Sequence, residues 1–276
     1  MSPVTSTHVT PCNDPVATDR PAASRWMVGA RLKRRGRSLL RRIVPGHAND
    51  AGRRLIQLNQ LQVFETVLRR HGRSLRQCRS ILEFGCGYGR LTRHLFTLAP
   101  QAEIFGCDVS ARDIAFCRRA YPQGRFTVNQ PTPPLHLPDA QCDFIFSYSV
   151  FTHLSEENHK HWLQELARIL RPDGVMVHTT HSVLSLRLIE MFSPERLSKY
   201  GLGGSVEAFA ASGQAYHYAV DDPAQPEYGL TVISPAYILQ QWPACSGLRV
   251  LEHVEGAMMG FPEGCQDLVV LAKGGG

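Results

Sequence analysis

The stretch Ile81-Leu82-Glu83-Phe84-Gly85-Cys86-Gly87-Tyr88-Gly89-Arg90 decides the fold of this chain. Its first four residues predict a short buried strand, and residues 91–95 begin a helical pattern. Between them glycine stands at every second position, where it lets the backbone approach a ligand closely and adopt positive φ. A dinucleotide fingerprint needs G-x-G-x-x-G, and Arg90 stands where its last glycine should be. The turn therefore predicts a different nucleotide-like ligand, one with hydroxyls and a carboxylate.

Strands and helices alternate on either side of this turn. An amphipathic helix is predicted at 51–71, because its apolar residues recur at three- and four-residue steps. Five strand patterns follow, at 81–84, 103–108, 125–129, 143–147 and 175–180, with helices at 90–99, 111–120 and 155–170 and a turn at 171–174. This alternation predicts a Rossmann-like, doubly wound α/β fold whose mostly parallel sheet carries helices on both faces.

The last third of the chain departs from the alternation. After a helix at 183–192, residues up to 229 are rich in Gly, Ser, Ala and Tyr, which predicts an insertion after the fifth strand. A helix at 235–242 then precedes strands at 248–255 and 267–272, joined by a long loop, 256–266. Such a pair is antiparallel, so the complete sheet has seven strands with an antiparallel last strand. We expect 182–229 to lie over the substrate side, in one of two forms. It is either a lid in which Tyr200, Tyr216, His217, Tyr218, Asp221 and Asp222 line an acceptor pocket, or a partly ordered surface loop without that role.

The net charge of +6 is concentrated in an N-terminal arm, residues 1–45. Seven cationic residues fall between 31 and 42, so the rest of the chain is close to neutral. The composition of the arm predicts disorder, and 46–276 is the expected folded domain. The arm is either a basic amphipathic helix that could contact anionic lipid or nucleic acid, or a solvated charged tail. Gly36 and the lack of an aromatic anchor favour the tail.

The remaining composition indicates a reducing, cytoplasmic compartment. No run approaches the roughly 18 apolar residues of a membrane span, and no apolar segment of a secretory signal follows the N-terminus. The eight cysteines are scattered without a C-x-x-C pair, so we expect buried thiols and no disulfides.

Asp108 stands at the end of the second predicted strand, where a carboxylate can accept hydrogen bonds from both hydroxyls of a ribose. The alternative is that Asp108 caps the helix at 111–120, a role that Ser110 fits better.

With this acid, the glycine turn resembles motif I of class I S-adenosylmethionine-dependent methyltransferases. The resemblance covers residues 51–181 and implies S-adenosylmethionine as cofactor. It implies that Gly85, Cys86, Gly87 and Gly89 wrap the methionine and ribose parts, and that Glu83 reaches the methionine amino group. It also implies a ribose contact at Asp108 with Val109 beside it, while Ser147, Tyr148 and Ser149 border the transferable methyl. The turn Leu170–Gly174 and the stretch Phe151–Leu154 are similar to further family motifs.

The adenine contact departs from the family pattern. Many members place an acid after the third strand, whereas this chain reads Val128-Asn129-Gln130-Pro131. Either Asn129 or Gln130 accepts the bond from the adenine amino group, or Pro134 and Leu135 sandwich the ring.

Two histidines are candidate general bases for an oxygen or nitrogen acceptor. His181 follows the fifth strand and His153 the fourth, at the strand ends where ligands collect in open α/β sheets. Each could instead have a structural role. His178 is expected to pack on another face, and no metal site is predicted because residues 178 and 181 point to opposite faces of a strand.

The acceptor is predicted by elimination. The base-amine tetrad [D/N/S]-P-P-[Y/F/W] is replaced by Ser147-Tyr148-Ser149-Val150, and the only Pro-Cys pair, Pro11-Cys12, lies in the arm. A near-neutral domain also lacks a basic face for phosphates. We therefore expect methylation of an oxygen or nitrogen of a small molecule or glycan. The alternatives are a nucleic-acid methyltransferase and a non-catalytic binding module that acts through the arm. The sequence predicts no oligomeric state.

Overall fold

The computed structural model describes residues 50–192, 194–199, 206–220, 223, 228–260 and 264–273. The predicted arm, residues 1–45, lies outside them.

A seven-stranded sheet forms the centre of the fold. Its strands are β1 (Ser80–Phe84), β2 (Glu103–Asp108), β3 (Arg125–Val128), β4 (Cys142–Ser147), β5 (Leu170–Thr180), β8 (Leu248–Gly260) and β9 (Gly264–Lys273). They lie side by side in the order β3-β2-β1-β4-β5-β9-β8. Strands β1 to β5 are parallel, and β9 runs antiparallel to both β5 and β8. The predicted Rossmann-like fold is confirmed, and the strand order reverses between β1 and β4, the switch point where such sheets bind ligands.

Helices cover both faces of the sheet. One face packs against α1 (Asp50–Arg70) and α2 (Thr92–Leu98), through side chains such as Phe64 and Leu95. The other packs against α4 (Glu156–Ile169) and α8 (Pro235–Ser246), through side chains such as Trp162 and Trp242. Helix α3 (Ala111–Ala120) closes a smaller cluster beside β3. Strands β1, β2 and β4 are buried over most of their length, which is why their sequences are largely apolar, whereas the edge strand β3 is mostly exposed.

The region after β5 contains more regular structure than the sequence predicts. Its elements are α5 (Val183–Phe192), α6 (Pro194–Lys199), α7 (Val206–Ala211) and a separate two-stranded sheet of β6 (Tyr216–Val220) and β7 (Gly229–Ile233). These two strands form an antiparallel hairpin. All five positions of β7 are buried, so its sequence lacks the alternation of apolar and polar residues by which a half-exposed strand is predicted.

Two predicted connections are wrong. The expected loop 256–266 is largely strand, because β8 and β9 stay paired as far as Gly260 and Gly264, with a register shift between Val254 and Met258. The expected turn 171–174 is a bulge within β5, where pairing with β4 passes from Leu170 directly to Val175. Both irregularities hide strand periodicity in the sequence.

Among the described residues, none of the helices combines the length and apolar character that crossing a membrane requires. Six cysteines of the described part, among them Cys86 and Cys107, are free thiols.

Candidate functional site

The glycine turn joins β1 to α2 and is fastened to β2. The amides of Gly85 and Cys86 both donate to the carbonyl of Cys107, each at 2.9 Å. Gly85, Gly87 and Gly89 have φ values of 76°, 51° and 78°, so each lies in the left-handed region. The predicted need for glycine at these positions is therefore met by the backbone geometry.

The three glycines differ in what surrounds them. A Cβ at Gly85 would overlap the Cγ2 methyl of Val150, and one at Gly89 would lie 2.8 Å from the ring of Tyr121. A Cβ at Gly87 would meet no atom within 4 Å. The turn is thus packed at both ends and open at its centre, which leaves room for a ligand against Gly87.

Asp108 holds this open centre in place. Its Oδ2 accepts from the amide of Gly87 and its Oδ1 from the amide of Ser110, both at 2.8 Å. Ser110 itself caps α3 by accepting from the amide of Asp113, so the capping alternative for Asp108 is not needed. Burial raises the pKa of Asp108, and the two backbone donors oppose that shift. Because a carboxylate oxygen has two lone-pair sites, each oxygen can accept a further hydrogen bond beside the one from its backbone amide.

Glu83 lies inside the fold, on the same side of the sheet as α2. Its side chain accepts a hydrogen bond from Thr92 Oγ1, and the residue is buried. Burial raises the pKa of Glu83 to about 8, against the opposing effects of Thr92 and Arg90. The carboxyl is therefore mostly protonated at pH 7, and a nearby cation would favour its ionised form.

One of the residues predicted to contact adenine has an acceptor without a hydrogen-bond partner among the described residues. Asn129 is buried at the end of β3, and its Nδ2 donates to the carbonyl of Gln130 at 2.7 Å. Its Oδ1 has no hydrogen-bond partner within the described structure. Leu135 is buried too, and its amide donates to Glu165 of α4. Val109, next to Asp108, is 37% exposed.

Ser147 and Tyr148 end β4 in different environments. Ser147 is fully buried, and its hydroxyl bonds to Nδ1 of His178 at 2.8 Å. Burial lowers the pKa of His178 to about 3, so this histidine is a neutral core residue, as predicted. The guanidinium of Arg90 lies 5.1 Å from the centre of the Tyr148 ring, which places this tyrosine against the glycine turn.

The two candidate bases are held differently. His153 is half-buried, and its Nδ1 donates to the carbonyl of Gly229 at 2.7 Å, since a carbonyl can only accept. Its ring stacks on Tyr228 with centroids 4.4 Å apart. His181 is buried, and its Nε2 lies 3.5 Å from the Nε2 of Gln266. The bond to Gly229 therefore fixes Nδ1 as the protonated nitrogen of an uncharged His153 ring.

Strand β7, which begins where the predicted insertion ends, is bonded to the segments that follow β4 and β5. The amides of Gly229 and Thr231 donate to the carbonyls of His153 and Thr152, and the amide of Ile233 donates to the carbonyl of His181. Tyr216, a predicted pocket residue, instead ties the hairpin to the fold through the Leu154 carbonyl and His159. His217 and Tyr218 lie on β6, while Tyr200, Asp221 and Asp222 lie outside the described residues.

Sequence reasoning missed Gln266, which lies in a predicted loop but belongs to β9. Its Nε2 donates to Ser149 Oγ at 2.8 Å, so it joins the strand ends that carry the two histidines. No group of three or more His, Cys, Asp or Glu side chains suited to a metal ion occurs among the residues described.

Comparison with known proteins gives one family match, to a family described as a methyltransferase domain, over residues 81–174. Three curated relatives are each similar over about a third of the chain. Trans-aconitate 2-methyltransferase of Azoarcus sp. (strain BH72) is 36% identical over 35% of this chain and 37% of the relative. Fatty-acid O-methyltransferase of Mycolicibacterium smegmatis is 30% identical over 36% of each protein. The tRNA N(3)-methylcytidine methyltransferase Mettl2 of Drosophila melanogaster is 31% identical over 37% of this chain and 34% of the relative.

These matches span about a third of the length of the curated relatives. Solved structures are similar over more of the chain. An S-adenosylmethionine-dependent methyltransferase from Mesorhizobium loti has a TM-score of 0.53 at 16% identity and covers 76% of this chain and 97% of its own. A Burkholderia thailandensis 1,6-didemethyltoxoflavin-N1-methyltransferase, solved with S-adenosylhomocysteine, has a TM-score of 0.51 at 14% identity and covers 92% of both chains. At such identities the likeness establishes the fold.

Proposed function

We propose that this chain, as a class I S-adenosylmethionine-dependent methyltransferase, methylates an oxygen or nitrogen of a small molecule or glycan. The matched methyltransferase domain and the methyltransferase fold support the proposal. The cofactor supplies a methyl group already activated on a sulfonium. The work of the protein is to bind the cofactor, orient the acceptor and accept a proton.

Asp108 is the observation that carries the proposal. Each oxygen of its carboxylate accepts a hydrogen bond from one backbone amide and has a second lone pair that can accept from a ligand hydroxyl. This arrangement suits the paired hydroxyls of a ribose, and the open space at Gly87 suits the adjoining part of the nucleoside. Burial strengthens each bond, because water competes less for the carboxylate.

Asn129 completes the cofactor contacts in this proposal. A buried acceptor without a partner costs roughly 1–3 kcal/mol, which a donor such as the adenine amino group would offset. The backbone bond between Leu135 and Glu165 fixes the loop beside the ring. Of the alternatives that the sequence leaves open, the hydrogen bond to Asn129 is the one that this geometry supports.

His153 is the base that we assign. The Gly229 carbonyl fixes its tautomer, and the Tyr228 ring restrains its orientation. Both contacts come from the insertion, so the segment that borders the acceptor also positions the base. His181, whose side chain is buried beside Gln266, is assigned to acceptor binding instead. Tyr148 is assigned to the wall near the methyl group.

Transfer of an isotopically labelled methyl group tests the proposal. Purified full-length protein is incubated with labelled S-adenosylmethionine and with separated small-molecule and RNA fractions of a cell extract. We expect labelled product among the small molecules, in neutral solution and without added partner. Label confined to RNA would instead support the nucleic-acid alternative, to which the Drosophila tRNA relative and the basic arm point. Cofactor binding without labelled product in any fraction would contradict both the small-molecule and the nucleic-acid function.

The cytoplasmic location of the protein stays a prediction.

Cofactor affinity is expected to rise with pH because of Glu83. Below pH 8 the buried carboxyl of the free protein is protonated, and it must ionise to pair with the methionine ammonium. Each pH unit below 8 therefore weakens binding by about tenfold, and the affinity levels off above pH 8. Isothermal titration from pH 6 to 9 measures this dependence.

The matched control is Glu83→Gln, which keeps a side chain of the same shape and removes the titration. Any pH dependence left in this variant belongs to the ligand's own amino group. Equal slopes for wild type and Glu83→Gln would exclude a role for this carboxyl in cofactor binding.

A further inference from the structure

A polar cluster lies across the ends of β4, β5 and β9 and consists of Ser149, Thr152, Thr179, His181 and Gln266. It belongs neither to the glycine turn nor to the ribose contact. The register pairs Thr180 with Asp267, so Gln266 lies just beyond the carboxyl end of β5. Gln266 bonds to Ser149, which follows β4, and thus reaches across the end of the intervening strand.

Ser149 is held in a strained backbone conformation within this cluster. Its φ is 61°, a left-handed value that few residues other than glycine adopt. Its amide donates to Thr179 Oγ1 at 2.8 Å, and its hydroxyl accepts from Gln266 Nε2 at 2.8 Å and contacts Thr152 Oγ1 at 3.4 Å. Strain of this kind persists where surrounding bonds impose it, and such sites are often functional.

The Gln266 amide is only half satisfied. The residue is 2% exposed, and its Nε2 is committed to Ser149, with His181 Nε2 at 3.5 Å. Its Oε1 has no hydrogen-bond partner in the described part of the chain. A buried oxygen that lacks a donor weakens the fold unless a bound molecule supplies one. Since the Nε2 end is fixed, the oxygen is held in one direction.

We propose that Gln266 is a specificity-determining residue whose Oε1 accepts a hydrogen bond from a neutral hydroxyl or N–H group of the methyl acceptor. This inference rests on the proposed function and deepens it by giving the acceptor class. A carboxylate acceptor has no donor to offer at neutral pH and would face the amide oxygen with like partial charge. The chemistry at this position therefore selects neutral polyhydroxylated or amide-bearing molecules over organic acids.

Labelled methyl transfer to charge-separated extracts tests this selection. The probes are the neutral, anionic and cationic fractions of a small-molecule extract, and the initial rate is followed against dilution of each fraction. We expect labelled product from the neutral fraction. With Gln266→Leu, the concentration of that fraction needed for half-maximal rate should rise about five- to a hundredfold, because a site left without its polar partner binds that much more weakly. The Kd for S-adenosylhomocysteine should stay within twofold.

Gln266→Glu separates recognition from mere packing, because it keeps an acceptor oxygen and loses the Nε2 donor. The concentration that this variant needs for half-maximal rate should stay close to the wild-type value. The control Gln240→Leu, on the exposed face of α8, should match wild type. Wild-type behaviour of Gln266→Leu, or equal losses in the Leu and Glu variants, would overturn the inference while leaving the methyltransferase function standing. The same holds if all label appears in the anionic fraction. Absence of label from every fraction would overturn both.

Discussion

Replacing Asp108 with alanine is expected to weaken S-adenosylmethionine binding about a hundred- to ten-thousandfold. The physical reason is the loss of two hydrogen bonds to a charged acceptor, each worth roughly 1.5–3 kcal/mol. The same change removes the acceptor for the amides of Gly87 and Ser110, so the open centre of the turn also loses its support. Isothermal titration of the wild type and the variant with the cofactor gives the ratio of dissociation constants directly.

Two further variants separate the ribose contact from this support. Asp108→Asn keeps an oxygen for one backbone amide but offers only one acceptor, so its loss should be smaller than that of alanine. Asp113→Ala removes a neighbouring acid in the first turn of α3 and should bind the cofactor as tightly as wild type. A dissociation constant within threefold of wild type for Asp108→Ala would contradict the proposed ribose site.

Replacing Gly85 with alanine is expected to lower the free energy of unfolding by about 2–5 kcal/mol and to abolish detectable cofactor binding. One part of the cost is the left-handed backbone, with φ at 76°, which is unfavourable for any residue with a Cβ. The other part is the overlap of the new methyl group with Val150 Cγ2. Chemical denaturation measures the first quantity and titration the second.

The chain offers matched controls for each part. Gly72→Ala imposes a similar backbone cost, at a φ of 70°, but its Cβ meets nothing within 4 Å, so its loss should be about 1–2 kcal/mol. The double variant Gly85→Ala with Val150→Ala removes the overlapping methyl and should recover part of the stability. Equal losses at Gly72 and Gly85 would mean that Val150 moves aside without cost.

The fold could be predicted well where hydrophobic period and turn chemistry agree. The predicted strand 103–108 and the helices 111–120 and 183–192 match the observed elements residue for residue. Helix α2 begins at Thr92 rather than Arg90, because Gly89 still has a positive φ and ends the turn. The position of Asp108 could also be predicted, because it depends only on where its strand ends, and the observed strand β2 does end at Asp108.

The remainder could not be predicted because it depends on contacts between distant residues. Strand β7 is buried on both faces and shows no alternation, and the bulged pairing of β8 with β9 disguises a strand as a loop. Nothing in the sequence near Gln266 indicates that it lies beside Ser149, since 117 residues separate them. The choice between the two histidines likewise depends on the Gly229 carbonyl, which only the folded hairpin brings to His153.

The sheet order has an evolutionary consequence. Because β4 lies beside β1, the chain crosses the middle of the sheet between Val128 and Cys142. The contacts assigned to the nucleoside precede this crossing, except for Asn129 and Leu135, which lie within it. The side chains assigned to the other reactant follow it, from Tyr148 to Gln266. Recombination between related genes at this crossing would exchange what is methylated while the inherited donor site remained in use. Acceptor preference could therefore diversify in the second half of such a lineage without renewed selection on the first.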